Sequence, residues 1–156
     1  MFDLTRILLT IPGIIIGFAF HEFAHAYMSD RLGDPTPRQQ GRLTLSPIPH
    51  IDPIGFLLFV FAGFGWAKPV QINPRHYKNP RRDEILVTVA GPLTNLLLAI
   101  FFGILFKIFL STNFVQGLSV DTLSSIYLLF YYTIRTNIIL FVFNMLPLPP
   151  LDGFHI

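Results

Sequence analysis

A chain of 156 residues that is 52% hydrophobic and only 13% charged, with a mean hydropathy of +0.57, is too apolar for an ordinary soluble domain. Its net charge of +2 does not mark a nucleic-acid-binding protein, because the basic residues flank apolar stretches instead of forming a basic domain. It has no cysteine, so disulfides and thiolate metal sites are excluded, and a transition metal would have to be held by His, Asp or Glu.

Three apolar stretches are long enough to cross a hydrocarbon layer of about 30 Å as helices: Leu4 to Met28, Ile85 to Leu110 and Leu123 to Leu146. The first outruns the apolar core of a signal peptide and lacks an A-x-A-like cleavage site, so it is expected to be retained. Along it, Gly13, Gly17, His21 and His25 recur every four residues, a stripe that another helix can approach closely.

His21-Glu-Phe-Ala-His25 matches H-E-x-x-H, in which histidines one helical turn apart share a face and can share one zinc ion, with Glu22 beside them as general base. For this composition a chance match is about 0.2 per cent, which makes the motif a strong signal. Three ionisable residues within five positions of a membrane helix also point to function, since such residues are costly there.

Residues 29–84 hold eight of the eleven Lys and Arg residues, whereas the 111–122 loop holds none. The positive-inside bias therefore places 29–84 in the cytoplasm and starts the N-terminus outside. Within this segment, Ile54 to Trp66 is apolar but short for a span, which favours a re-entrant loop with both flanks on one side. The alternating stretches Arg42–Ser46 and Val70–Asn73, bounded by prolines, are expected to be short strands. His50 and Asp52 could ligate a second metal or replace a missing third ligand, although a loop or anchoring role is the better reading. His76 and His155 lie in no interpretable pattern.

The second span carries Gly91, Asn95, Ala99 and Gly103, again at four-residue spacing, so helix packing is their default role, with Asn95 either bonding across helices or facing a zinc cavity. On the third span Thr133, Asn137 and Asn144 share a face that should point inward, and Arg135 lies on the opposite side with a structural partner expected. The chain then runs Asn144-Met-Leu-Pro-Leu-Pro-Pro-Leu-Asp-Gly153, whose prolines break the helix and could turn Asp152 back toward the histidines as a third ligand. Alone, such an element is more often an ordinary turn.

Taken together, His21-Glu-Phe-Ala-His25 in an apolar helix, Gly91-Pro-Leu-Thr-Asn95 and Leu151-Asp-Gly153 resemble the site-2 protease family over essentially the whole chain, with Gly65-Trp-Ala-Lys-Pro69 similar to its small prokaryotic members. The resemblance implies an all-α membrane protein: a three-helix transmembrane core with a re-entrant loop and short β element between helices 1 and 2. It implies one Zn2+ per chain held by His21, His25 and Asp152, with Glu22 as general base. The bilayer and a transmembrane protein substrate would be the partners, with no nucleic acid. Asn144 and Asn95 are candidates for holding the substrate carbonyl or an oxyanion. Because family members are expected to continue beyond the Asp152 helix, a single core truncated at its C-terminus is expected. The competing class is a non-catalytic metal-binding membrane protein, a carrier or adaptor, which needs the ligands but not Glu22.

Overall fold

The computed structural model describes residues 4–62, 65–149 and 151–155; residues 63 and 64 of the expected re-entrant run, together with Pro150 and Ile156, lie outside the described residues. In chain order the helices are α1 (Leu4–Arg31), α2 (Thr36–Gln39), α3 (Pro53–Ala62), α4 (Pro80–Leu110) and α5 (Val120–Asn144), with single 3-10 turns at Ile48–His50, Pro74–His76, Asn113–Gly117 and Asp152–His155. α1, α4 and α5 each pack against the other two, and all three are long and apolar enough to cross a membrane. Their outer faces leave Leu97, Ile100 and Ile104 of α4 and Ile138 and Val142 of α5 exposed, an apolar belt suited to lipid rather than water.

α4 and α5 start at local caps, not at the limits of hydropathy. α4 begins at Pro80, five residues before Ile85, because proline suits the first helical position and Asp83 reaches back to accept the Asn79 N–H at 3.0 Å. α5 begins at Val120, where the Ser119 hydroxyl accepts the Thr122 N–H, and ends at Asn144, shortly before Pro147. α1 runs three residues past Met28, its last turn covered by Arg31 lying over the Tyr27 ring.

Gly13 and Gly17 of the α1 stripe lie against α5, while Asn95 and Gly91 of the second-span stripe reach Gly17 and the two histidines. A Cβ on Gly13 would lie 2.7 Å from Thr133 Cα, and one on Gly17 would lie 2.8 Å from Leu140 Cδ1, so the two backbones approach as only glycine permits. Gly103, by contrast, faces open space. Thr133 and Asn137 are buried inside the bundle and Asn144 is half-buried, whereas Arg135 is exposed on the opposite side and forms no ion pair or hydrogen bond among the described residues.

The expected β element is absent: neither Arg42–Ser46 nor Val70–Asn73 is a strand among the described residues. Side chains take backbone groups within and beside these stretches. The buried Arg42 guanidinium donates to the carbonyls of Pro49, Lys68 and Pro69, the Val70 N–H goes to Glu22, and the Asn73 N–H goes to Asp34. What remains is an isolated antiparallel bridge between Ile51 and Ala67, with the Lys68 N–H donating to His50 O at 2.8 Å. This bridge joins the two ends of the apolar run, so the run folds back on itself; its ten-residue α3 spans only about 15 Å. α3 leans on α1, with Phe18 and Phe59 edge to face at 5.4 Å and Phe56 and Val60 against the buried Ile14, Phe18 and Leu140.

Candidate metal centre

His21 and His25 lie on the buried side of α1 one turn apart, where the helical period alone brings their rings to 4.6 Å between centroids. α4 settles which nitrogen of each ring is protonated. His25 Nδ1 lies 2.8 Å from the Val87 carbonyl, which can only accept, so Nδ1 carries the hydrogen. His21 Nδ1 lies 2.7 Å from Asn95 Oδ1, and the Asn95 amide is oriented by donating to Gly17 O at 3.1 Å and to Asn137 Oδ1 at 3.0 Å. Asn137 is oriented in turn by donating to Thr133 O at 2.9 Å. Both histidines therefore present bare Nε2 lone pairs to the same point.

The turn after α5 supplies the third group. Gly153 packs so tightly on the helix end that a Cβ there would lie 2.7 Å from the Met145 carbonyl carbon, and the chain folds back beneath the bundle. Asp152 Oδ2 thereby comes to 3.0 Å from His21 Nε2 and 3.2 Å from His25 Nε2, while the two Nε2 atoms are 3.0 Å apart. With both rings neutral, two bare nitrogens and a carboxylate repel one another, so the triangle is satisfied by a shared proton or by a metal cation among the three. Zinc held tetrahedrally at 2.0–2.1 Å sets its ligands about 3.3 Å apart, close to all three edges. The donor set fits one zinc ion, and among the described residues it is the one cluster of three or more potential ligands. α4 can come this close only because residue 91 is glycine: a Cβ there would lie 2.6 Å from His25 Cε1 and 2.8 Å from His21 Cε1.

Glu22 is buried beside this triangle, with Oε2 accepting the Val70 N–H at 2.9 Å. It shares with His25 and Asp152 a cavity of about 380 Å3 whose walls include Pro69, Val70, Ile72, Val87 and Thr88. The wall that contains Val70 is held by Arg42, which donates to Pro69 O at 2.9 Å and to Lys68 O at 3.2 Å.

The remaining candidates lie elsewhere. The Asn95 amide is committed to His21, Gly17 and Asn137, and Asn144 donates to Leu140 O of its own helix at 3.0 Å. His50 is buried and donates from Nε2 to Thr44 O, and Asp52 caps α3 by accepting the Ile54 and Gly55 amides. His76 pairs at 3.2 Å with Asp34, a fully buried carboxylate that also accepts from Ser29, Thr36 and Asn73. Burial opposes the charge on Asp34, yet the hydrogen bonds from Thr36 and Asn73 prevail and hold its pKa below the ordinary value. Sequence reasoning missed Val87, Val70, Arg42 and Asp34. Arg42 registered as one more basic residue of the loop and as the start of an expected strand, and a backbone carbonyl or amide leaves no mark in a sequence.

Three relatives are each named "Putative zinc metalloprotease". YwhC of Bacillus subtilis is 45% identical over 143 residues, covering 92% of this chain and 64% of that protein. Rip2 of Mycolicibacterium smegmatis is 29% identical over 94% of this chain and 55% of its own, and MJ0611 of Methanocaldococcus jannaschii is 28% identical over 97% and 70%. The chain thus spans little more than half to about two thirds of the relatives it matches. No family model matches the sequence, and no solved structure matches it.

Proposed function

We propose that the chain is the core of an intramembrane zinc endopeptidase of the site-2 protease type, forming a single unit that cleaves transmembrane segments of other proteins. The observation that carries this reading is a buried carboxylate, Glu22, in one cavity with two of the three acceptors of the metal triangle. A carrier or adaptor would need the triangle alone. The names of the relatives and the three apolar helices support the same reading.

His21, His25 and Asp152 would hold the zinc, which supplies Lewis acidity to a water and to the peptide carbonyl. Glu22 takes the proton of the attacking water and returns it to the leaving amine. The Val70 N–H fixes the rotamer of Glu22, and Asn95 and the Val87 carbonyl fix the imidazoles so that neither ring rotates or changes tautomer during the reaction. A substrate helix hides its peptide bonds in its own hydrogen bonds and must be unwound first. The irregular wall at 67–73 is suited to hold it extended, with Pro69, Ile72 and Pro74 as an apolar lining. Asn144 lies near this end of the bundle and remains a candidate for contact with the substrate carbonyl. The basic residues of 29–84 favour a cytoplasmic position for this end, in what the relatives' organisms make a prokaryotic cell membrane.

The test is Glu22→Gln, which is nearly isosteric but cannot accept the proton. It should keep about one zinc per chain while losing cleavage of a membrane-spanning substrate by about 10²- to 10⁴-fold. Equal cleavage by both forms at equal zinc content would refute the proposal and favour a carrier or adaptor.

A further inference from the structure

We propose that Glu84 forms an anionic subsite of the same cavity, which selects a lysine or arginine side chain of the bound segment beside the bond to be cleaved. This rests on the protease reading for its biological meaning, but the subsite itself is a matter of binding.

Glu84 projects from the second turn of α4 into the cavity that contains Glu22, His25 and Asp152. Apart from those three, it is the one ionisable group of the lining; Pro69, Val70, Ile72, Pro74 and Val87 are apolar and Thr88 is neutral. Its neighbour Asp83 has an evident structural task, accepting the Asn79 N–H at the start of α4. Glu84 has none: it forms no hydrogen bond or ion pair among the described residues, and Arg81 and Arg82 next to it are exposed without reaching it. A half-buried carboxylate left unneutralised over apolar walls attracts a cation more strongly than one in open water.

The shape suits a long basic side chain rather than a small cation. The aliphatic stem of Lys or Arg can lie along Pro69, Ile72 and Pro74 while the charged head reaches Glu84. A cavity of about 380 Å3 lies in the range of pockets that enclose whole chemical groups. Membrane segments offer such a residue where it is needed, because Lys and Arg concentrate at their cytoplasmic ends, the side on which the proposed topology places this cavity.

The test uses the full chain in detergent, loaded with zinc and carrying Glu22→Gln so that no peptide is consumed. Fluorescent peptides with one apolar segment ending in Lys-Lys, Gln-Gln or Glu-Glu are titrated by polarisation. The Lys peptide should bind about fivefold more tightly than the Gln peptide, with the preference shrinking in high salt. Adding Glu84→Gln should bring the peptides to parity. Adding Glu84→Lys should reverse the order in favour of the Glu peptide, an outcome that misfolding cannot produce. An unchanged Lys preference in the Glu84 variants, no preference at all, or no binding of any peptide would overturn the subsite. A parallel cleavage assay with Glu22 intact separates the two ideas: Glu84-dependent binding without cleavage would keep the subsite and remove the protease.

Discussion

Replacing Arg42 by alanine should loosen the wall that holds Glu22 without emptying the metal site. Arg42 is 6% exposed and its guanidinium donates to three carbonyls, those of Pro49, Lys68 and Pro69. Hydrogen bonds from a charged group contribute about 1.5–3 kcal/mol each, and an orphaned buried carbonyl costs about 1–3 kcal/mol. Two of the three acceptors lie on the 67–73 wall, so about 3 kcal/mol of its resistance to local opening should be lost, with the total capped because water reaches the carbonyls once the wall opens. At 1.4 kcal/mol per factor of ten, amide exchange at Lys68 and Val70 should accelerate about a hundredfold. Arg42→Lys, a cation that cannot span three acceptors, should fall between. Zinc should stay at about one per chain, since its candidate ligands lie on α1 and the 152–155 turn. Hydrogen exchange read by mass spectrometry on peptides covering 66–73 makes the measurement. Unchanged exchange there in Arg42→Ala would refute the argument, as would loss of zinc in parallel with it.

Asn95→Ala removes the acceptor that fixes the His21 tautomer and should weaken zinc binding about 10- to 100-fold in a chelator competition. Gly91→Ala pushes a methyl group into both imidazoles and should weaken zinc at least as much, whereas Gly103→Ala, facing open space, should leave it unchanged. Because the Asp34 pKa is lower folded than unfolded, its stabilisation is complete above the unfolded value of about 4 and is lost as pH falls through the folded value. Thermal unfolding between pH 3 and 7 should therefore show Asp34→Asn less stable at neutral pH and less sensitive to acid. For topology, single cysteines at Gln39, Asn79 and Asn113 in this cysteine-free chain should react with an impermeant thiol reagent outside intact cells at Asn113→Cys alone; labelling of both loop positions but not Asn113 would reverse the orientation, and labelling of just one of them would show that residues 54–66 cross the membrane.

What could be read from the sequence was whatever depends on spacing along the chain. Apolar length located three helices, and the 3.6-residue period put His21 and His25 on one face, because a helix converts separation into direction without outside help. The Pro-rich break before Asp152 was legible as a turn, and the resemblance assigned the carboxylate to the histidines. The alternating stretches at 42–46 and 70–73 misled, because alternation reports only that side chains point two ways. Whether the backbone pairs with another strand depends on who competes for its hydrogen bonds, and here Glu22 and Asp34 take the amides of Val70 and Asn73. Likewise, the Gly13 and Gly17 stripe announced a close neighbour but not which, and only the packing chose α5. The contacts that tune the centre join His21 to Asn95, His25 to Val87 and Glu22 to Val70, 74, 62 and 48 residues apart. Sequence position has no bearing on such distances; they are set when three helices and a folded-back loop settle on one another, and with them the tautomers that aim two lone pairs at one point.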